Sequence, residues 1–187
     1  MVTSEIEINT DWKLKKELFE KYLSELPESS VKVNLGCGKV VLKGFINVDF
    51  YGNNYDIKCD MNITPYPFKD NSVDFILCDH SLEHIKEQEL FWEEVYRILK
   101  PGAKIMIGVP HCKNTKGAYC TFGHRAFFHE DCIDSITRNN KDSSVKNNFK
   151  LIEKMVARGR FMKWQKREIL WVVEKSKCEV KECLIQI

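Results

Sequence analysis

The sequence predicts an α/β fold, in which helices lie on both faces of a mostly parallel, twisted sheet. Apolar runs typical of buried strands recur at Val31–Leu35, Ile46–Phe50 and Phe75–Cys78. Amphipathic helical patterns alternate with them, and the first run ends at a glycine pair, as strands of such folds do beside a ligand. We expect a single domain over residues 1–187, because this length, with 43% hydrophobic residues, suffices for one substantial core.

Composition argues against a membrane protein and against a disulfide-stabilised one. Charged residues make up 30% of the chain, and no apolar run approaches the roughly 18 residues of a membrane span. The eight cysteines lack the spacing of a secreted disulfide framework, so we expect most of them to be reduced and buried. A cytoplasmic location with no membrane partner is therefore expected.

The first predicted element is an N-terminal helix over residues 11–26. Leu14, Leu18 and Tyr22 recur at four-residue intervals on one face, and Pro27 ends the pattern. We expect this apolar face to pack on the sheet.

The first strand leads into Gly36-Cys37-Gly38, and the second carries Asp49 near its end. Glycine lacks a Cβ and tolerates positive φ, so the backbone can approach a ligand closely at such a loop. An acid at the carboxyl end of the next strand faces the same crevice, where it commonly accepts hydrogen bonds from a ribose. The pattern favours a nucleoside-containing ligand over a simple turn followed by a surface aspartate. The predicted contacts are Asn34, Leu35, Gly36, Cys37, Gly38, Asp49 and Phe50.

The spacing of this stretch narrows the choice of ligand. A dinucleotide fingerprint needs a third glycine where Val41 stands, and its acid comes later than Asp49 does. The helix that would receive a pyrophosphate is therefore short or missing, and Lys39 to Gly44 must form a loop or a single helical turn. NAD and FAD are disfavoured, whereas S-adenosylmethionine has a ribose and an adenine but no phosphate.

Three segments together resemble the class I S-adenosylmethionine-dependent methyltransferases: VNLGCGKVVLKGFINVDF, DFILCDHSLEHI and EEVYRILKPGAKIMIGVP. The resemblance spans Val31 to Pro110 and is greatest to a small subgroup with a shortened connection between glycine loop and ribose-binding acid. It implies one Rossmann-like methyltransferase domain that uses S-adenosylmethionine and releases S-adenosylhomocysteine. Its expected parts are the helix at 11–26, a cofactor-binding core at 31–110, an active-site cover with the acceptor loop at 111–148 and closing strands at 149–187.

The resemblance also places the adenine, beyond a weak third strand at Tyr55–Asp60. Asp60 would accept a hydrogen bond from the adenine amino group, and Met61 would cover the ring. Alternatively, Asp60 only caps a turn.

The resemblance places Asp79 and His80, at the end of Phe75–Cys78, beside the cofactor and facing the methyl acceptor. A helix follows at residues 88–99 and is ended by Lys100-Pro101-Gly102, before a fifth strand at Ala103–Val109.

Residues 110–132 form an irregular segment rich in histidine, cysteine and glycine, which would roof the site at the end of the fifth strand. The resemblance makes it the acceptor loop, and the predicted substrate contacts are His84, Tyr119, His124 and Arg125. His80 and His111 are the candidate general bases, because histidine titrates near neutral pH. A base is needed only if the acceptor must lose a proton as it attacks.

Zinc binding is an alternative for this segment. Its candidate ligands are Cys120, His124, His129 and Cys132. Because their order and spacing match no common zinc finger, we expect no metal.

The C-terminal part of the chain predicts closing antiparallel edge strands at Phe149–Ala157, Glu168–Glu174 and Val180–Ile187. Residues 138–177 hold twelve Lys and Arg against four Asp and Glu, a charge of +8 within a chain whose net charge is +2. This basic region makes nucleic acid a possible partner, although a solvated face with aromatics beneath it is the simpler interpretation.

The leading hypothesis is a methyltransferase that transfers the methyl group of S-adenosylmethionine to a small-molecule or sugar-type acceptor by in-line displacement. Two alternatives stay open: methylation of RNA or another nucleic acid, and a non-catalytic interaction protein that binds the cofactor without turnover. A nicotinamide-dependent dehydrogenase fits less well, because the third glycine is missing.

Overall fold

The computed structural model describes residues 6–9, 12–137, 148–158 and 166–177, and side chains within 15–137, 148–157 and 167–177. The strands are β1 (Ile6–Asn9), β2 (Lys32–Leu35), β3 (Ile46–Asp49), β4 (Ile57–Lys58), β5 (Val73–Asp79), β6 (Leu99–Pro110), β7 (Phe149–Arg158) and β8 (Lys166–Lys175). The α-helices are α1 (Trp12–Ser24), α2 (Gln88–Ile98), α3 (Thr115–Tyr119) and α4 (Asp134–Thr137), and short 3₁₀-helices lie at Leu82–His84 and Glu130–Ile133.

The eight strands form one sheet in the order β1-β7-β8-β6-β5-β2-β3-β4. Strand β8 runs antiparallel to β6 and β7, and every other pairing is parallel. The predicted fold class is confirmed: a mostly parallel Rossmann-like sheet with an antiparallel C-terminal strand. One detail of the prediction is wrong, because β8 lies inside the sheet rather than at its edge, where β7 and β1 continue beyond it.

Alternating side chains on the central strands build a core on each face of the sheet. Phe75, Met106 and Val172 point to the face on which α1 packs with Leu18 and Tyr22. Their strand neighbours point to the opposite face, the larger core that contains α2. This two-sided burial explains why the central strands are almost continuously apolar.

The predicted elements differ from the observed ones mainly at their ends. The weak third strand is only the two residues of β4, and β6 begins at Leu99, so that Pro101 and Gly102 lie within it. Gly102 has a φ of +84°, which matches the irregular register between β5 and β6 at this point. The predicted strand at Val180–Ile187 lies outside the described residues.

No helix stands between β2 and β3, where the sequence predicts a loop or a single turn. Two buried asparagines hold the loop instead. Asn34 Nδ2 donates to Val40 O and to Asn47 Oδ1, and Asn47 Oδ1 also accepts from Leu42 N. These bonds satisfy backbone groups that a helix would otherwise pair.

The proline-rich bend after β4 is fixed to α2 by one carboxylate. Glu94 accepts hydrogen bonds from Tyr66 N at 2.5 Å and from Arg97 Nε and Nη2, both at 2.7 Å. Burial alone would raise the pKa of Glu94, but Arg97 and the Tyr66 amide outweigh it and lower the pKa. The group is therefore a charged, fully bonded structural anchor.

A search of the described residues finds no helix that is both long and apolar enough to cross a membrane.

Candidate active site

The predicted cofactor residues lie at the carboxyl ends of β2 to β5. Gly36 follows β2 with a φ of +71°, and a Cβ there would lie 2.1 Å from Ser81 Oγ. Gly38 has a φ of +54° and open space where its Cβ would be. Glycine is thus required at position 36 by the segment after β5, whereas Gly38 faces the open crevice.

Asp49, at the end of β3, is tied to the glycine loop by its side chain. Its Oδ2 accepts from Gly38 N at 2.7 Å, and its Oδ1 accepts from Tyr51 N at 2.8 Å. Each carboxylate oxygen keeps a second lone pair, so the predicted role as ribose acceptor remains compatible with these bonds. Phe50 beside it is exposed and packs edge-on against Tyr51.

Three of the predicted cofactor residues are buried. Leu35 is fully buried and Asn34 is 3% exposed, so the side chains belong to the core and to the asparagine pair. Cys37 is also buried, and burial raises the pKa of its thiol, consistent with a filler rather than a nucleophile. A ligand in the crevice would therefore meet the backbone of the glycine loop rather than these three side chains.

Asp60 and Met61 follow β4 at the same edge. Asp60 Oδ1 accepts from Asn62 N at 2.9 Å, which is the turn-capping geometry of the alternative interpretation. The Met61 Cε lies so near Gly36 that a Cβ there would be 3.2 Å away, so the side chain reaches over the glycine loop. Met61 also packs against the larger core, and its role as a cover for the adenine stays a prediction.

A charged cluster at the end of β5 was not predicted. Lys15 of α1 donates to Asp79, and it donates to Glu168 of β8 at 2.6 Å. Gly108 of β6 makes room for them, since a Cβ there would lie 2.2 Å from Asp79 Oδ1 and 2.9 Å from Lys15 Nζ. A lone glycine inside a strand indicates such a close approach, so Gly108 was the one available signal in the sequence.

His80 joins this cluster in a left-handed backbone conformation, with a φ of +51°. Its Nε2 lies 3.2 Å from Glu168 Oε1 and its Nδ1 lies 3.4 Å from Glu83 Oε1. Bonds to Glu168 and Glu83 raise the pKa of His80 to about 10, although the side chain is half-exposed. The histidine is thus protonated at neutral pH and cannot accept a proton, which argues against the prediction that His80 is a general base.

Glu168 has the opposite shift. Burial alone would raise its pKa, but His80 and Lys15 outweigh burial and lower the pKa to about 2. Lys15 is partly buried, and its two carboxylate partners outweigh the effect of that burial and raise its pKa. Lys15, His80 and Glu168 are therefore all charged at neutral pH.

His111 is the second predicted base, and its environment also argues against that role. The side chain is fully buried, its Nε2 lies 2.5 Å from Glu130 Oε2, and its Nδ1 accepts from Lys113 N at 2.9 Å. Both ring nitrogens are engaged inside the cover segment. His111 therefore anchors that segment and does not face the crevice.

Two cavities adjoin at the cluster. The first, of about 240 Å³, lies between α1 and the sheet, and Gly36, Cys37 and Asp79 contribute to its wall. The second, of about 360 Å³, lies beneath the cover segment. Its polar lining includes His80, Glu83, His84, His124, Arg167 and Glu168. Lys15, which lines the first cavity, bonds to Glu168, which lines the second.

The predicted substrate residues divide into two pairs. His84 and His124 line the second cavity, and their rings meet edge-on with centroids 4.7 Å apart. Tyr119 instead stacks on Phe127 at 4.5 Å, and Arg125 is exposed, with its backbone N donating to Glu83 O. Neither Tyr119 nor Arg125 is among the lining residues.

The alternative zinc set is not assembled, although all four of its residues are described. His124 clusters with Glu83 and His84, whereas His129 clusters with His111 and Glu130. Cys120 and Cys132 are exposed, and Cys132 Sγ accepts from His129 N. The described cysteines are all free thiols.

Known proteins resemble this chain in sequence and in fold. The family model described as a methyltransferase domain matches residues 46–107. Among curated proteins, phosphoethanolamine N-methyltransferase 2 of Caenorhabditis elegans is 38% identical over 42 residues, which are 22% of this chain and 10% of that protein. The chain thus matches only about a tenth of that relative's length.

Solved structures share the fold at low identity. The [4+2]-cyclase SpnF superposes with a TM-score of 0.62 and 13% identity, over 90% of this chain and 83% of that one. A methyltransferase from Archaeoglobus fulgidus, described as S-adenosylmethionine-dependent, superposes with a TM-score of 0.60 and 14% identity, over 87% of this chain and 94% of that one. Another from Methanosarcina mazei, with the same description, superposes with a TM-score of 0.58 and 13% identity, over 91% of this chain and 100% of that one.

Fold, family model and motif order point to the same class of protein. Residues 46–107 match a methyltransferase domain, and solved structures described as S-adenosylmethionine-dependent methyltransferases share the fold of the chain.

Proposed function

We propose that the protein transfers the methyl group of S-adenosylmethionine to a small, polar, hydroxyl- or amine-bearing acceptor, including sugar-type molecules. One observation carries this proposal: a cavity at the glycine loop and a polar cavity under the cover segment adjoin at Asp79 and His80. In-line transfer needs donor and acceptor in adjoining sites, and the carboxyl end of β5 is where the two meet.

The residues around the glycine loop, next to the first cavity, fit the cofactor. Gly38 leaves open space beside the loop, Asp49 keeps free lone pairs for ribose hydroxyls, and Met61 lies over the loop. When bound, S-adenosylmethionine supplies an electrophilic methyl group on a sulfonium with a good leaving group. Asp60 remains the proposed partner of the adenine amino group.

The chain itself contributes position and charge. Lys15 holds Asp79 and Glu168 together across α1, β5 and β8, so the wall between the cavities is fixed before a ligand arrives. A preorganised wall saves the entropy of aligning two reactants, which is the main contribution required for this displacement.

The second cavity favours a small polar acceptor. Its volume of about 360 Å³ lies in the range of small-molecule sites. Its charged lining, including Arg167 and Glu168, suits hydroxyl, amine or phosphate groups. The curated relative, a phosphoethanolamine N-methyltransferase, is named for an acceptor of that size, which supports this choice.

Nucleic acid is a weaker candidate acceptor. Within the described part of the basic region, Lys154 pairs with Asp131, and Lys175 is buried and donates to Leu99 O. Those two positive charges are thus used inside the protein. Salt dependence of RNA binding would test this alternative, since phosphate contacts weaken steeply with salt.

Cofactor binding without methyl transfer is the other alternative, and the shared fold of the [4+2]-cyclase keeps it open. Incubation of a cell extract with the enzyme and methyl-labelled S-adenosylmethionine, followed by size fractionation, separates the possibilities. We expect label in the small-molecule fraction. Label in RNA would identify the nucleic-acid alternative, and no incorporation would favour the non-catalytic one.

The cofactor assignment has its own test in calorimetry with S-adenosylhomocysteine and with NAD. We expect only the former to bind, and Asp49→Asn to weaken it roughly tenfold or more, because one charged acceptor contributes about 1.5–3 kcal/mol. Glu28→Gln, the same charge change at an exposed acid, is the control and should bind like wild type. Binding of NAD alone would overturn the assignment.

A further inference from the structure

A carboxylate in the wall of the second cavity lacks a partner for one of its oxygens. Glu83, in the 3₁₀-helix after β5, is 1% exposed. Its Oε2 is buried and has no hydrogen-bond partner among the described residues. A buried, unpaired carboxylate oxygen is costly, so this one calls for a cation or a donor supplied by a ligand.

Two imidazoles stand beside this carboxylate. Ligand atoms of Glu83, His84 and His124 all lie within 4.8 Å of one another. Two ligands of a tetrahedral ion at the usual 2.0–2.1 Å are about 3.4 Å apart. A closure of at most about 1.5 Å would therefore bring the three to coordinating distance, and the exposed His84 side chain has room to move.

Backbone carbonyls orient both rings. His124 Nδ1 lies 2.8 Å from Ala118 O, and His84 Nδ1 lies 3.1 Å from Gly123 O. A carbonyl oxygen only accepts, so each Nδ1 carries a hydrogen, and Nε2 is the nitrogen of each ring that can offer a lone pair to another partner. An imidazole that donates one nitrogen to a carbonyl and offers the other is the usual arrangement of a metal-binding histidine.

The main chain also fixes the two halves of the cluster to each other. Arg125 N and Ala126 N both donate to the backbone O of Glu83, at 2.7 Å and 3.1 Å. These bonds hold the loop that carries His124 against the 3₁₀-helix that carries Glu83 and His84. The three side chains are therefore brought together by the fold itself, 40 residues apart in sequence.

We propose that Glu83, His84 and His124 bind a divalent first-row transition-metal ion. Two neutral imidazoles and one carboxylate suit Fe²⁺, Co²⁺ or Zn²⁺ better than Mg²⁺ or Ca²⁺, which prefer all-oxygen sites. Coordination positions not used by the protein face the second cavity. The expectation of no metal weighed only the cysteine-containing set, which shares His124 but not Glu83 or His84.

The neighbouring cluster of Asp79, His80 and Glu168 is a less suitable metal site, because its carboxylates already have a cation. Lys15 already supplies it with a cation, through its bonds to both carboxylates. The Glu83 cluster has no lysine or arginine ion pair of that kind among the described residues. His80 lies 3.4 Å from Glu83 Oε1, but Glu83 Oε2 still lacks a partner among the described residues.

An ion at this place would also act on the acceptor, and this role rests on the proposed function. A hydroxyl bound to a divalent cation has a lowered pKa and is a better nucleophile. The metal would thus do what neither His80 nor His111 is placed to do.

The ion alone provides the test, without methyl donor or acceptor, so its failure is distinct from failure of the methyltransferase proposal. Chelator-treated full-length protein is titrated with Co²⁺, followed by calorimetry and by visible absorption, in which thiolate ligation by the cysteines has a distinct near-ultraviolet band. We expect one equivalent bound through nitrogen and oxygen ligands. Glu83→Gln and His84→Ala should each weaken binding at least tenfold; His84 is exposed, so its variant should fold normally.

The control is His129→Ala, in the same segment but in the cluster with His111 and Glu130. It should bind Co²⁺ as wild type does. The proposal is overturned if no stoichiometric Co²⁺ binds, if only thiolate bands appear, or if His129→Ala rather than His84→Ala abolishes binding.

Discussion

Lys15 is the residue on which the wall between the two cavities depends, and its removal has a calculable effect. Lys15→Met keeps the aliphatic stem but deletes the ammonium that bonds to Asp79 and Glu168. The two carboxylates would then lie within 4.8 Å of each other without the ion that separates them.

The magnitude follows from Coulomb's law. Two unit charges 4.8 Å apart repel by about 3.5 kcal/mol at an effective dielectric constant of about 20. The side chains of Asp79 and Glu168 are 25% and 27% exposed, and His80 remains as a cation beside Glu168, so both solvent and His80 reduce this figure. We expect a loss of about 2 kcal/mol in the free energy of unfolding.

Urea denaturation at pH 7 and pH 5 provides the measurement. In wild type the pKa of Glu168, about 2, lies below the unfolded value of about 4.3, so its stabilisation is complete at both pH values and is lost only below about 4.3. In Lys15→Met the repulsion raises a carboxyl pKa above its unfolded value. Protonation on acidification then restores stability, and the deficit should shrink between pH 7 and pH 5.

Lys16→Met is the matched control on the same helix. Lys16 pairs with Glu20 at 3.6 Å, and both side chains are mostly exposed, so its loss should cost about 0.5 kcal/mol or less. The reasoning is refuted if both variants unfold alike, or if the deficit of Lys15→Met grows on acidification.

Two further predictions concern structural anchors of the site. Gly36→Ala should abolish S-adenosylhomocysteine binding in calorimetry and lower the melting temperature, because the added Cβ clashes with Ser81 and the left-handed backbone is strained. Gly52→Ala is the control, because Gly52 has a φ of +81° and open space, so its substitution adds the backbone strain alone. Equal effects of the two substitutions would contradict the clash with Ser81. Glu94→Gln should lower the free energy of unfolding, measured by urea denaturation at pH 7, by about 2 kcal/mol, because it weakens the pair with Arg97. This deficit should shrink below about pH 4.3, as Glu94 of the wild type becomes protonated. A deficit that does not change with pH would contradict an ionic role for Glu94.

Patterns within single elements were sufficient to predict the central part of the fold. The alternation in β2, β3 and β5 and the four-residue spacing in α1 are signals within one element, and the structure has these elements where the pattern placed them. The absent helix between β2 and β3 was also predictable, because ten residues between Gly38 and Asp49 leave no room for one.

The position of β8 inside the sheet was not predictable in this way. It depends on which strand edges remain free once the others have paired, and that choice is made by contacts distant in sequence. The same holds for the charged cluster, where Lys15 and Glu168 are 153 residues apart.

In the candidate site, too, features set by local sequence were predictable and those set by distant contacts were not. Backbone features, such as the glycine loop and Asp49, could be predicted as a cofactor site because their spacing is local. Roles of His80 and His111 were predicted from the titration of free histidine, but each role depends on a carboxylate supplied by another segment, Glu168 or Glu130. No signal in the sequence links those partners.

The insertion of β8 between β6 and β7 has a consequence for the order in which the protein can be made. During synthesis β2 to β6 leave the ribosome before β7 and β8, and these five strands can pair with one another at once. Glu168 arrives with one of the last described segments, so the cluster with Lys15 closes only after β8 has entered the sheet. Contacts between distant segments form slowly. A nascent chain stalled before β8 could therefore have its glycine loop and Asp49 in place while the wall between the cavities is still open.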